Sequence, residues 1–354
     1  MNILLLDIDG TLIHDRGYRH AMRKTIEWVG QQRGLPTHAP AEQEINVLHS
    51  CGYSNEWDSV PFSIGINMLM KHLGDERRPD FAAWARRSTE FNGLPNERAR
   101  DLLLHESPAE LHADIHALLD EVQDPHISIT TRAIYELVLG SDVFTKHFNL
   151  PPLLNSESFL ATLDKPLLND AGREIVLRHA ATTYTARPSL PPDDSCAGLY
   201  QTPEAEIALE QLGISQLPNM GLGPMQWLAD QFGGKIWDYA KPAATQSIAA
   251  LLAATGTPLT KAATAAYQFT HLGRANELVC GLDGAVACVF EDNAGGVRGC
   301  QKAAAALAER GIHVTVRGFG IATDPAKRAA LAQVCEGVYD DVNIALNKVD
   351  SDSR

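Results

Sequence analysis

No apolar run in the chain approaches the roughly twenty residues that a membrane-spanning helix needs. The N-terminal apolar stretch is short and meets Asp7 too early for a secretory signal. A soluble, cytoplasmic protein with no membrane partner is the expectation. None of the six cysteines forms a Cys-x-x-Cys pair, so neither a zinc site nor a disulfide framework is expected, and the thiols read as reduced and mostly buried. Positive charge is scarce as well: 30 Lys and Arg stand against 44 Asp and Glu, for a net charge of −14. With no Lys/Arg stripe carrying interleaved aromatics, the chain lacks the basic footprint that nucleic-acid phosphates require. Gly221-x-Gly223 lacks the third glycine and following acid of a dinucleotide fingerprint and reads as a loop.

What is present is enough apolar residue, 45% of 354, for two domains or for one domain with a large insertion. The first dozen residues organise the rest. Ile3 to Leu6 reads as a buried parallel strand that delivers Asp7 and Asp9 straight into the Gly10-Thr11 turn. Acids at the carboxyl edge of a parallel sheet sit where α/β proteins bind ligands, and two carboxylates this close can share a divalent cation.

A polar segment, Ile13 to Gly17, suits a hinge, and Arg19 to Gln32 then reads as an amphipathic helix ended by Gly34 and Pro36. Helical patterns continue through Ile64 to Leu73, Phe81 to Phe91, Pro108 to Val122 and Ala133 to Leu139. Strand-helix alternation returns with the β-prone Ala180 to Thr185, then a helix near 202–212 and a short strand near 216–220. A helix near 224–232 comes next, and Lys241-Pro242 opens an Ala-rich helix to about Thr255. Thr260 to Leu272 reads as a further helix, suited to packing or to a homo-oligomer contact. Val286 to Phe290 is a second buried strand, ending in Glu291-Asp292, and it is followed by a helix near 297–310, a strand at His313 to Val316, a helix from Pro325 and a strand near Val338. The expected fold is α/β: a doubly wound parallel sheet with a large inserted helical block, the core spanning 1–15 and 166–354 and the insertion 16–165. Asp350 to Arg354 reads as frayed.

Four features fall at strand ends in a fixed order: Asp7-x-Asp9-Gly-Thr, Thr185, Lys241-Pro, and Glu291-Asp292. In these motifs and their order the chain resembles the haloacid-dehalogenase superfamily of phosphohydrolases, over nearly its whole length. The resemblance implies a Rossmann-like core with a helical C1 cap and a Mg²⁺-dependent phosphatase acting on a small phosphorylated metabolite. Asp7 would attack phosphorus to give an aspartyl-phosphate, and Asp9 would act as acid and base. Asp7, the Asp9 carbonyl and Asp292 would hold Mg²⁺, with Glu291 as a further ligand or acting through water. Thr185 and Lys241 would offset the phosphoryl charge, and Gly10, Thr11 and the Arg187 amide would line the phosphate site. Ile127 to Arg132, with Thr130 and Thr131, competes with Thr185 as a hydroxyl-bearing strand end; Thr185 is preferred because Arg187-Pro188 stops its strand sharply and alternation follows.

Within the insertion, Cys51 to Asp58 packs aromatic rings and polar heads into one short loop, similar to a loop in the phosphoglycolate-phosphatase-like subfamily. Tyr53, Asn55 and Trp57 either contact the leaving group, or Trp57 anchors the loop to a helix. His112 and His116 lie four apart, and a solvated helix face is the expected reading. A phosphomutase using the same aspartyl nucleophile is the nearest rival, and a non-catalytic binding protein of the same fold the next. Dehalogenation is disfavoured because Asp9, the second acid, is present.

Overall fold

The computed structural model describes all residues except 54, 76, 194–197, 199 and 353–354. The chain divides into two compact units, one formed by residues 1–15 and 164–354 and the other by residues 16–163. In chain order, β1 (Asn2–Leu6) and β2 (Ile13–His14) precede the α-helices α1 (Gly17–Arg33), α2 (Glu42–Ser50), α3 (Glu56–His72), α4 (Phe81–Ser88), α5 (Pro95–Glu106), α6 (His112–Leu119), α7 (Ile129–Leu139), α8 (Ser141–Phe148) and α9 (Phe159–Leu163). Then come β3 (Lys165–Pro166), α10 (Asp170–Arg178), β4 (Ala180–Tyr184), α11 (Glu204–Leu212), β5 (Asn219–Met220), α12 (Leu222–Phe232), α13 (Ala244–Ala254), α14 (Leu259–Leu272) and α15 (Glu277–Cys280). The last elements are β6 (Val286–Glu291), α16 (Ala294–Ala308), β7 (Thr315–Ile321), α17 (Pro325–Leu331), β8 (Gly337–Tyr339) and α18 (Val342–Asp352). None of these helices is long and apolar enough to cross a membrane.

The first unit is α/β and Rossmann-like. Its six-stranded sheet runs β5-β4-β1-β6-β7-β8 with every pairing parallel. Strand β1 is central, with Leu6 opposite Thr183 on one side and Phe290 on the other. A strand in that place is covered on both faces, which is why Ile3 to Leu6 is apolar without alternation. Successive side chains point to opposite faces and so serve different cores. Ile3 and Leu5 join Tyr184, Val289 and residues of α12 to α16. Leu4 and Leu6 join Cys288, Phe290, Phe319 and residues of α10, α11 and α18. Each fully buried leucine contributes about 1.5–3 kcal/mol of apolar burial. A separate two-stranded ribbon pairs Ile13 with Pro166 and His14 with Lys165 in antiparallel fashion.

Several boundaries depart from expectation. Within the Ile13 to Gly17 segment, Ile13 and His14 pair in the ribbon and Gly17 starts α1, and the division between the two units falls between residues 15 and 16. The 127–132 segment is helical from Ile129, with Ser128 as N-cap accepting from Thr131 N, so the local hydroxyls cap a helix in place of a strand. Pro242 is not in the first helical turn: the Lys241-Pro242 peptide is cis and α13 begins at Ala244. Strand β7 starts two residues later than expected and runs on to Ile321. Residues 350–352 belong to α18, whose inner face (Val342, Ala345, Leu346, Val349) is buried, and Ser353 and Arg354 lie outside the described residues.

The 16–163 unit is all helical. Among the described residues its interior holds two carboxylates, Asp58 and Glu136, of which Glu136 is fully buried and saturated by short bonds. It accepts from the Leu153, Leu154 and Asn155 amides at 2.5, 2.9 and 2.8 Å and from Ser141 Oγ at 2.7 Å. These bonds pin the 153–155 turn, in which Asn155 has φ +52°, to helix α7. Glu136→Gln replaces one accepting oxygen by an NH₂ that faces amide donors. The expected loss is about 2 kcal/mol or more of unfolding free energy by urea titration, and an unchanged midpoint would contradict the pinning role.

Candidate functional site

Strand β1 carries Asp7 past the carboxyl edge of the sheet, where the Asp7 amide still donates to the Phe290 carbonyl at 3.0 Å. The neighbouring strands β4 and β6 end at the same level and bring Thr185 and Glu291-Asp292 beside it. Gly10 turns the chain back with φ +71°; its amide reaches the Ile13 carbonyl at 2.8 Å. A Cβ on Gly10 would stand 2.5 Å from Asp292 Oδ2, so this turn requires a residue without one.

Lys241 is placed by the segment before α13. Its Nζ donates to Asp7 Oδ1 at 2.9 Å, to Glu291 Oε1 at 2.8 Å and to the Tyr184 carbonyl at 3.1 Å. Burial works against its charge, but Asp7 and Glu291 outweigh it and hold the ammonium above its ordinary value. Asp7, Glu291 and Asp292 each present an oxygen within 4.8 Å of the other two. Burial, and next the Asp7 charge, push Glu291 well above the ordinary carboxylate range and raise Asp292 as well. Lys327, from the first turn of α17, donates to Asp292 Oδ2.

The donor set fits a divalent cation. Glu291 Oε2 is buried with no hydrogen-bond partner among the described residues, an unmet acceptor beside two more carboxylates. The Glu291 side chain fits there because residue 296 is glycine: a Cβ at Gly296 would lie 1.7 Å from Glu291 Oε1. Gly296 thus makes room for an acid.

The structure brings Asp7, Asp9, Gly10, Thr11, Thr185, Arg187, Lys241, Glu291 and Asp292 into one unit around the end of β1, though not all in their expected tasks. Thr185 Oγ1 is buried and accepts from the Arg187 amide at 3.2 Å, which keeps the hydroxyl hydrogen for another acceptor. The Arg187 amide is thereby committed to Thr185 and not turned to a phosphate. Its guanidinium instead grips Asp9, with Nη2 2.6 Å from Oδ1. Thr11 is fully buried and its Oγ1 has no hydrogen-bond partner among the described residues.

Tyr53, Asn55 and Trp57 belong to the helical unit's own construction. Tyr53 is fully buried and stacks on Phe62 at 4.9 Å, while Asn55 caps α3 by accepting from the Asp58 amide at 2.9 Å. Trp57 is buried against Tyr135 at 5.3 Å, which is the anchoring role. His112 and His116 turn to the Ser107 carbonyl and to Asp120 rather than to a common centre.

Sequence reasoning missed Gln246. It is fully buried in the first turn of α13, accepts from the Lys241 amide at 2.6 Å, and donates to the Thr185 and Met220 carbonyls at 2.8 and 2.7 Å. One amide side chain therefore ties the lysine's backbone to the ends of β4 and β5. The signal was a run of uncharged polar residues, Thr245 to Ser247, at the start of an otherwise apolar helix. Lys327 and Asp164 were missed too, being single charges among many.

Compared with known proteins, the chain matches no family model, no curated protein and no solved structure.

Glu291 binds its proton more tightly in the folded than in the unfolded chain, so it costs the fold stability as pH rises above its ordinary value of 4.5. Glu291→Gln cannot ionise. Without divalent cations, its unfolding free energy relative to the parent is expected to grow from about pH 5 to about pH 8 in urea titrations. A gap that stays constant over that window would mean that Glu291 carries no such strain.

Proposed function

We propose that the chain is a Mg²⁺-dependent phosphatase of the haloacid-dehalogenase type, hydrolysing a small phosphorylated metabolite through an aspartyl-phosphate on Asp7. The observation that carries this reading is the Asp7 carboxylate at the tip of the central strand, with the Lys241 ammonium on one oxygen and two further acids within reach. Phosphoryl transfer needs a positioned nucleophile and compensation of negative charge, and both sets of groups stand here together.

In this reading a free Asp7 oxygen attacks phosphorus while the bond to the leaving oxygen breaks, and Asp9 gives that oxygen a proton. Water then attacks phosphorus, Asp9 takes back a proton, and the Asp7 carboxylate and inorganic phosphate are released. Lys241 keeps Asp7 in place and cancels part of its charge, so that an anionic substrate can approach. The Thr185 hydroxyl, with its hydrogen uncommitted to Arg187, donates to a phosphoryl oxygen. Asp7, Asp292 and Glu291, with the Asp9 carbonyl, would hold Mg²⁺, which supplies charge neutralisation for the phosphoryl group when bound. Residues 16–163 are the helical cap of this scheme, excluding water and selecting the substrate.

The test is release of p-nitrophenol from p-nitrophenyl phosphate with Mg²⁺ and with excess EDTA. Turnover is expected only with the metal, and Asp7→Asn is expected to lose on the order of 10³-fold or more in kcat while circular dichroism shows it folded. Activity that survives Asp7→Asn, or that is absent from the parent chain, sinks the proposal.

A further inference from the structure

Arg187 is among the largest fully buried side chains in the molecule, an unusual place for a guanidinium. Its charge is met on two sides. Nε donates to Asp9 Oδ1 and Oδ2 at 2.9 and 3.0 Å, and Nη2 donates to Asp9 Oδ1 at 2.6 Å and to Asp164 Oδ2 at 2.8 Å. Nη1 reaches the Glu204 carbonyl, at the start of α11, at 3.4 Å. The backbone is held as well, since the Arg187 carbonyl accepts from the Leu222 amide at 2.9 Å. The Asp164 side chain is wholly buried, whereas that of Asp9 is 34% exposed.

A buried arginine whose Nη2 also bonds a second, deeper carboxylate, and whose Nη1 reaches a backbone carbonyl, cannot swing, so the carboxylate it grips cannot swing either. The grip is uneven. Asp9 Oδ1 takes two guanidinium bonds and Oδ2 takes one, shared with Oδ1, which leaves Oδ2 the oxygen with capacity to spare. We infer that Arg187, anchored by Asp164, is the positioning residue of Asp9: it fixes Oδ1 so that Oδ2 exchanges the proton with the leaving oxygen and with water. This role rests on the phosphatase reading. In the first step the Oδ2 proton passes to the leaving oxygen, which keeps the electron pair of the broken P–O bond. In the second, Oδ2 accepts a proton from water as the water oxygen bonds to phosphorus and the Asp7–phosphorus bond breaks.

Positioning of this kind has its own kinetic signature. A proton donor matters to an alkyl phosphate, whose alkoxide leaves poorly, and little to p-nitrophenyl phosphate, whose phenolate leaves unaided. The quantity to measure is kcat/KM, which reports only the steps through the first phosphoryl transfer, for β-glycerophosphate and for p-nitrophenyl phosphate with Mg²⁺. Arg187→Lys keeps the charge and loses the fork, and Asp164→Asn keeps the shape and loses the anchoring charge. In both variants the ratio of the alkyl to the aryl value is expected to fall, by about tenfold or more for Arg187→Lys. If Arg187→Lys fails to fold, Asp164→Asn carries the comparison. Parallel losses on the two substrates, or no loss, overturn the positioning role and leave the phosphatase reading standing. A parent chain that hydrolyses neither substrate overturns both.

Discussion

One ammonium group holds the site together. Lys241 Nζ lies between Asp7 and Glu291, and without it these two carboxylates would share a buried space with Asp292 uncompensated. Removing one partner of such a pair costs about 3–5 kcal/mol, because the remaining charge stays buried. The ammonium reaches both acids only if β4, β1 and β6 lie side by side in that order, since it also donates to the carbonyl that ends β4. Gln246 closes the arrangement by tying the Lys241 backbone to the ends of β4 and β5. The sheet order and the charge balance are thus a single requirement.

The two acids that open the chain are handled by two different cations. Asp7 meets a lysine, a compact charge on a flexible stem that leaves the second oxygen of the carboxylate without a hydrogen bond among the described residues. Asp9 meets an arginine, a rigid fork that fixes direction as well as charge. On the proposed reading the difference suits the two tasks: a group that attacks needs an open lone pair, and a group that passes a proton back and forth needs a fixed bearing.

The core was legible in the sequence wherever burial is two-sided. Ile3 to Leu6 and Val286 to Phe290 read as strands because a central parallel strand has no polar face to confuse the pattern, and the acids that follow marked the carboxyl edge. The short edge strand β5, two residues long, was placed only roughly, because so few residues carry little periodicity. The side-chain roles were less legible than the positions. Arg187 was read for its amide, since an arginine beside proline gives no sign that its head is buried against Asp9 and Asp164. Tyr53 and Trp57 could be read either as leaving-group contacts or, for Trp57, as an anchor, because polar neighbours surround them in sequence; in the structure the two rings fill the helical unit's interior. Gln246 carried no charge and no motif, and it becomes visible only when three carbonyl and amide groups converge on it in space.

The ribbon formed by β2 and β3 sets Ile13 directly opposite Pro166, and the Leu167 amide reaches the Leu12 carbonyl at 2.8 Å. The α/β unit therefore closes its own chain path before the helical block begins and resumes it immediately after the block ends. Whatever occupies the gap, a tight turn of a few residues or a long detour of helices, the sheet receives the same two ends at the same spacing. Because closure cost grows only slowly with loop length, the gap can be lengthened at little thermodynamic penalty. Such a junction is a port for evolutionary change: the α/β half can stay constant while the inserted half is exchanged for another.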